Sequence, residues 1–207
     1  MKTFKILTLL ALVVVVSAFA ANAVIKKDRS GYDIGDEAGD FYLRNVDNAM
    51  MSLRDFEDAK GFVVVFTCNT CPFSIANEDR LIAIDTKYKK LGYPVIAINP
   101  NDPHVKPGDS FKAMQQRAKK KGFTFPYLLD DGQEVFPKYG ATKTPHVYVL
   151  QRVQEKNIVK YIGAIDNSSR DEKAVTEKYL ENALDEILSG KEVTLKETKA
   201  IGCAIKS

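Results

Sequence analysis

Two of the three cysteines in this 207-residue chain form the motif Cys68-Asn69-Thr70-Cys71. The motif follows a run of apolar residues and precedes apolar residues at helical spacing, which predicts a position between a buried strand and a helix start. Backbone N–H groups at a helix start stabilise an anion, so we expect them to lower the pKa of Cys68. Because a thiolate is the species that attacks a disulfide, Cys68 is predicted to attack and Cys71 to resolve the mixed disulfide.

Other chemistry is open to a Cys-x-x-Cys pair. A static disulfide or half of a zinc site has the same spacing, but a zinc site needs about four ligands. The chain has no second cysteine pair and only two histidines, His104 and His146. Soft thiolates suit Cu(I), so a copper-binding module that uses Cys68, Cys71 and His146 is an alternative hypothesis. A thiol peroxidase is another. For the favoured reaction, disulfide exchange, we expect no cofactor and no metal.

The elements that must position the pair follow a β-α-β pattern. Phe62–Phe66 is an uninterrupted apolar run, which predicts a strand buried on both faces. Residues 75–91 carry apolar side chains at roughly helical spacing, and 94–98 repeat the pattern of a buried strand. A strand, a helix and a second strand in this order predict a parallel pair and an α/β fold class.

Further elements are predicted on both sides of this unit. They are a hairpin over 41–46 and 50–53, a helix capped by Asp109 or Ser110 and ending at Lys121, a strand over 125–129, a short helix over 133–139, a hairpin over 146–150 and 157–162, and a helix over 171–188. The motif Thr144-Pro145-His146 stands at the head of one of these strands, a position that proline tolerates.

Residues 62–72 and 141–150, in this order, resemble the thioredoxin superfamily. The stretches 35–43 and 51–56, with the helix near 109–121, are similar to its redoxin branch, which contains exported thiol–disulfide interchange proteins and the alkyl hydroperoxide reductase/thiol-specific antioxidant group. The resemblance covers roughly residues 35–188. It implies a thioredoxin-like fold, with a central mixed sheet flanked by helices, an N-terminal hairpin and an inserted helix. It also implies exchange with proteins that carry thiols or disulfides, and a redox partner that the sequence does not identify.

The resemblance gives Pro145 a role. In that superfamily a cis proline precedes a core strand and faces the cysteine pair, so we expect the Thr144–Pro145 bond to be cis. The proline would expose the backbone of Thr144 to an extended substrate and keep metals away from the thiols.

The chain also departs from the superfamily pattern. Thr67 stands where a Trp usually precedes the first cysteine, and Phe62 replaces the buried Asp of thioredoxin, so the proton acceptor for Cys71 is unidentified. No Pro-x-x-x-Thr-x-x-Cys arrangement ends at Cys68 or Cys71, which counts against a peroxidase.

Two further residues are candidates for auxiliary roles. Cys203 is interpreted first as a small apolar residue; alternatively the tail folds back so that Cys203 exchanges disulfides with Cys68 or pairs with another chain. His146 follows the proline and either neighbours the thiols or faces the core.

The first 23 residues are predicted to be a cleaved signal peptide. Lys2 and Lys5 precede an apolar segment at 6–16 that is too short to span a bilayer comfortably. Cleavage is expected after Ala23 or Ala20, because both positions end a small-x-small pattern. We therefore expect an exported protein, periplasmic or secreted, without a stable membrane anchor after cleavage. An uncleaved anchor helix is the alternative.

The remaining boundaries and the charge balance indicate one soluble domain. We predict an N-terminal lead at 24–34, a thioredoxin-like domain at 35–190 and a C-terminal tail at 191–207. Lys and Arg number 30 against 27 Asp and Glu, so charge gives no reason to expect a nucleic-acid or membrane-surface partner.

Overall fold

The structure of the protein is a computed structural model that describes residues 30–207. Within this part of the chain the strands are β1 (Glu37–Ala38), β2 (Leu43–Asn45), β3 (Met50–Met51), β4 (Gly61–Phe66), β5 (Val95–Asn99), β6 (Tyr127–Leu129), β7 (Lys143–Thr144), β8 (His146–Val153), β9 (Lys156–Gly163) and β10 (Cys203–Ala204). The α-helices are α1 (Pro72–Tyr88), α2 (Phe111–Lys121), α3 (Val135–Tyr139) and α4 (Tyr179–Leu188). Short 3-10 helices cover Leu53–Asp55, Lys89–Leu91, Pro107–Asp109 and Glu172–Ala174.

The main sheet has eight strands in the order β1-β9-β8-β4-β5-β6-β2-β3. Strands β4, β5 and β6 are parallel, while β8 and β9 add to the other side of β4 as an antiparallel hairpin. The sheet is therefore mixed, and the predicted β-α-β unit is confirmed as β4-α1-β5. The predicted N-terminal hairpin is confirmed as β2-β3, and the inserted helix as α2.

Strand β4 separates two apolar cores, and all six of its residues are buried. Because side chains alternate along a strand, Val63 and Val65 pack with residues of α1 and α4, whereas Phe66 packs on the opposite face with Tyr139 of α3. Burial of a Val or Phe side chain contributes about 1.5–3 kcal/mol. This doubly covered strand fixes the position of the loop that follows it, which carries the cysteine pair.

The predicted helix over 171–188 is wrong in its first half, since α4 begins only at Tyr179. The side-chain oxygen of Asn167 accepts hydrogen bonds from the backbone N–H groups of Thr176 and Glu177. The Asn167 N–H in turn donates to the carbonyl of Glu177. These bonds use backbone groups that a continuous helix would need, so the segment stays irregular after one 3-10 turn.

The predicted signal peptide and most of the predicted N-terminal lead lie outside the described residues. Among residues 30–207, no helix has both the length and the apolar character needed to cross a bilayer.

Candidate active site

The cysteine pair lies at the carboxyl end of β4, where the chain turns into α1. Cys71 is the N-cap residue of this helix, and Pro72 is its first residue, where the missing N–H of proline costs little. Both side chains are buried, with exposed fractions of 3% for Cys68 and 2% for Cys71. Both are free thiols, as in the reduced form of the pair.

The pKa shifts of the two thiols have opposite directions. A hydrogen bond from Cys68 lowers the pKa of Cys71 to about 4, helped by the backbone N–H groups of Ser74 and Cys203 and opposed by burial. The same hydrogen bond, together with burial and the nearby charge of Asp109, raises the pKa of Cys68. As a thiol, Cys71 donates a hydrogen bond to the Thr144 carbonyl at 3.0 Å, a contact that opposes its ionisation.

The backbone N–H of Cys71, at the start of the helix, acts on the sulfur of Cys68 and lowers its pKa, in the direction predicted, although the raising causes are larger. The helix begins one residue after Cys71, and the N–H of Ser74 in its first turn acts on the sulfur of Cys71. The hydrogen bond between the two sulfurs favours a reduced pair with one thiol and one thiolate.

The second predicted feature of the site, Thr144–Pro145, lies directly against both cysteines. The bond between these residues is cis, as expected. The Thr144 hydroxyl is 3.4 Å from the sulfur of Cys68, and the Thr144 carbonyl is 3.0 Å from the sulfur of Cys71. The fold thus brings together the cysteine pair and the Thr144–Pro145 segment, which are more than 70 residues apart in sequence.

A buried carboxylate, Asp109, holds the loop between the cysteines. Asp109 is 0% exposed. Its Oδ1 accepts from the Asn69 backbone N–H at 2.7 Å, and its Oδ2 accepts from the Thr70 hydroxyl at 2.8 Å. The Asn101 side-chain amide also donates to Oδ2, at 2.8 Å. These bonds tie the Cys68–Cys71 loop to the segment that leads into α2.

Sequence reasoning placed Asp109 only as a candidate cap of the inserted helix. Ser110 is the N-cap of α2 instead, without a side-chain cap bond, while Asp109 turns toward the cysteine loop. Two donors in the dipeptide Asn69-Thr70 required an acceptor, but nothing in the sequence indicated which of 27 acidic residues supplied it.

Cys203 also reaches the site. Strand β10 pairs with β7, so that Cys203 lies opposite Thr144. Burial and hydrogen bonding to Cys71 raise the pKa of Cys203 to about 11. The tail folds back onto the site, as the second interpretation of Cys203 requires, and the sulfur that Cys203 meets is that of Cys71.

His146 has the second of its two expected orientations, toward the core. It stands opposite Phe66 in the β4–β8 register and contacts the ring of Tyr148 at a centroid distance of 4.9 Å. Phe66 and Tyr148 belong to the core on the face of the sheet away from α1. Among residues 30–207, no three His, Cys, Asp or Glu side chains are arranged to hold a metal ion. The copper-binding set of Cys68, Cys71 and His146 is therefore not assembled.

The sheet, the helix that starts at a cysteine pair and the cis proline against it define a thioredoxin-like protein. The sequence model of the AhpC/TSA family matches residues 34–162, more than half of the 207-residue chain, and the chain belongs to this family.

Individual relatives agree with this assignment. The crystal structure of an uncharacterized conserved protein from Geobacillus kaustophilus is similar, with a TM-score of 0.78 and 35% identity, over 85% of this chain and 93% of that one. A thiol-disulfide oxidoreductase ResA from Halalkalibacterium halodurans is 27% identical over 144 residues, which cover 70% of this chain and 77% of the relative. The thioredoxin domain of a thiol-disulfide oxidoreductase from Bacteroides vulgatus shares the fold, with a TM-score of 0.52 and 16% identity, over 64% of this chain and 91% of that one.

Proposed function

We propose that the protein is a thiol–disulfide oxidoreductase that acts on disulfides of other proteins through Cys68 and Cys71. The observation that carries the proposal is the pair of free thiols at the start of α1, which lie against Thr144 and share a hydrogen bond that lowers the pKa of Cys71. A thiol ionised at neutral pH, with a second thiol beside it, has what is needed to open a disulfide and close a new one. The name of the ResA relative is consistent with this reaction.

The pKa shifts suggest the order of the two steps. The Cys71 thiolate attacks one sulfur of a substrate disulfide, forming a mixed disulfide and releasing the other substrate sulfur as a thiolate. Cys68 then loses its proton and attacks Cys71, which forms the Cys68–Cys71 disulfide and releases the second substrate thiolate. Two electrons pass from the protein to the substrate, and the cysteine roles are the reverse of those expected from the sequence.

We propose that an extended substrate segment binds along Lys143–Thr144, ahead of Pro145. In the present structure β10 pairs with this segment in antiparallel register, so an extended chain fits there. Because Thr144 contacts both sulfurs, a substrate strand in this position would bring its disulfide to the pair. The tail must then leave before a protein substrate binds.

Two measurements test the proposal: the rate of insulin-disulfide reduction, and the trapping of a mixed disulfide between the protein and insulin. The reduced protein is expected to accelerate the reduction of insulin disulfides by dithiothreitol, and Cys71→Ser to abolish the acceleration. In a Cys203→Ser background, Cys68→Ser is expected to accumulate a mixed disulfide with insulin through Cys71, whereas Cys71→Ser accumulates none. If only the Cys71→Ser variant accumulates a mixed disulfide with insulin, Cys68 is the attacking cysteine. The proposal would be rejected if a variant that lacks Cys68 and Cys71 accelerated insulin reduction as much as the wild type.

We propose that the protein works outside the cytoplasm, in the periplasm or after secretion. The support is the charged, apolar and small-residue order of the first 23 residues, which is typical of a signal peptide. The physiological substrate and redox partner are protein thiols or disulfides of that compartment.

A further inference from the structure

The C-terminal tail crosses the domain and ends on the cysteine site. The tail is attached to β9, where the Ile162 N–H donates to the Lys196 carbonyl and the Thr198 N–H donates to the Ile162 carbonyl, both at 3.0 Å. After residue 198 the tail runs to β10, which lies along β7 with Cys203 opposite Thr144. The tail therefore places a third cysteine beside the residue that contacts the sulfurs of both Cys68 and Cys71.

Bonds beyond Cys203 hold the end of the tail in place. The Lys206 N–H donates to Oδ1 of Asn101 at 2.9 Å. The Lys206 carbonyl accepts from the Asp102 N–H at 2.9 Å and from the Gln133 side chain at 2.7 Å. With the β9 contacts on one side and these bonds on the other, Cys203 is held at both flanks rather than carried on a loose end.

Gly202 permits the close approach of the tail to the site. A Cβ atom at this position would lie 2.1 Å from the carbonyl oxygen of Thr144 and 3.1 Å from the nitrogen of Pro145. Both neighbours are backbone atoms that cannot move aside easily, so any larger residue would push β10 away. The residue before Cys203 thus fits the tail to the Thr144–Pro145 segment.

Cys71 is the sulfur that both other cysteines meet. Its thiolate is stabilised by the side chain of Cys68 and by the side chain and backbone N–H of Cys203. Exchange of a disulfide requires the attacking sulfur to approach the sulfur whose bond is broken, and Cys203 is placed against that sulfur. Cys203 is also partly exposed, while Cys68 and Cys71 are buried.

We propose that Cys203 is a third redox-active cysteine, which takes over the disulfide from Cys68 and makes it accessible to the redox partner. This inference rests on the proposed function. After a substrate is reduced, the Cys203 thiolate attacks Cys71 in the Cys68–Cys71 disulfide. The Cys71–Cys203 bond forms, the Cys68–Cys71 bond breaks, and the electron pair leaves on Cys68. The proton lost by Cys203 balances the proton gained by Cys68, so no external oxidant is consumed.

The exchange gives the partly exposed tail a function in turnover. An incoming dithiol partner would attack the Cys203 sulfur of the Cys71–Cys203 disulfide, which releases the Cys71 thiolate and leaves a mixed disulfide between the partner and Cys203. The partner's second thiol would then attack its own sulfur in that bond, release Cys203 and close the partner's disulfide. The partner would then need to reach a surface strand of two residues instead of a buried pair.

The test follows disulfides in the full chain by mapping peptides after acid quenching and alkylation. In a glutathione redox buffer, Cys68→Ser is expected to form an intramolecular Cys71–Cys203 disulfide. Adding Gly202→Ala to Cys68→Ser should lower the yield at least about tenfold, because disulfide formation needs close and specific geometry. Gly39→Ala is the matched control, since a Cβ there would meet only the side-chain oxygen of Tyr32, at 3.2 Å. Wild-type protein should contain both Cys68–Cys71 and Cys71–Cys203 disulfides.

The inference would be overturned if Cys68→Ser, with or without Gly39→Ala, carried glutathione on Cys71 and kept Cys203 as a free thiol. Wild-type protein with only the Cys68–Cys71 disulfide would do the same even if Cys68→Ser misfolds. Insulin reduction by wild-type protein is measured in parallel. If wild-type protein reduces insulin but forms no Cys71–Cys203 disulfide, only the inference about Cys203 is rejected. If the disulfide forms but insulin is not reduced, the proposed function is rejected.

Discussion

At the scale of single residues, the hydrogen bond between Cys68 and Cys71 is expected to keep one thiol of the reduced protein ionised below neutral pH. Ultraviolet absorbance of the reduced protein should show one thiolate that disappears with a midpoint near pH 4, the pKa of Cys71. Cys68→Ala removes the largest cause of the shift, so the midpoint should move upward toward the ordinary value of 9.0. Cys71→Ala should abolish the low-pH transition. A transition retained in Cys71→Ala would assign the thiolate to another cysteine.

The same shift makes the stability of the reduced protein depend on pH. The folded pKa of Cys71 is lowered from 9.0 to about 4, so its contribution favours the folded state and is fully present above pH 9. The contribution declines as pH falls and is lost once pH has passed through about 4. The difference in unfolding free energy between reduced wild type and Cys71→Ala should therefore shrink between neutral and acidic pH.

Residue types and spacing predicted the cysteine pair and Pro145, because these features are local in sequence. They did not predict that Cys203 meets the sulfur of Cys71. That contact depends on the pairing of β10 with β7, which brings the N–H of Cys203 to the site from more than 100 residues away in sequence. Hydrogen-bond donors at this distance leave no local signal in the sequence.

At the scale of elements, Asp109 joins the cysteine loop to the segment before α2, and its carboxylate should matter for both stability and thiol chemistry. Asp109→Asn replaces one acceptor oxygen by a donor that faces other donors. We expect the unfolding free energy in urea to fall by about 1–3 kcal/mol, the usual effect of an unsatisfied buried polar group. Because the charge of Asp109 raises the pKa of Cys68, its removal should lower that pKa.

Asp131→Asn is a suitable control, because this carboxylate is exposed in the loop before α3. Its substitution should change the unfolding free energy by no more than about 0.5 kcal/mol. Equal effects of the two substitutions would show that the loop does not depend on the buried carboxylate.

Elements with their own apolar pattern were predictable, and those that depend on distant partners were not. Strand β4 and strand β5 stand out because burial on both faces requires continuous apolar residues. The first turns of the predicted helix over 171–188 fail because Asn167 binds its backbone groups. Strand β10 has two residues and exists through its pairing with β7, so the sequence of the tail could not indicate it.

At the scale of the whole molecule, the C-terminal tail folds back and pairs with the segment ahead of Pro145. The cysteine loop follows β4 at the centre of the sheet, Asp109 comes from the inserted segment, and Thr144 comes from the strand ahead of the proline. The tail then adds Cys203 to this assembly from the other end of the chain. The site is thus built from four segments that only the complete fold brings together, and the family resemblance predicted two of them.

The N-terminal segment is expected to direct the whole chain out of the cytoplasm. Expressed in a bacterial host with residues 1–29 intact, the protein should lose its N-terminal segment and begin at Val24 or Ala21, as intact mass and N-terminal sequencing would show. Replacing Ala21 and Ala23 by bulky residues should shift cleavage to follow Ala20 or block it, because the processing site requires small residues. The same bulky replacement at Ala49, an exposed residue beyond the segment, controls for general effects on processing. A full-length chain in the cytoplasmic fraction would contradict export, and an uncleaved chain in the membrane fraction would support an anchor instead.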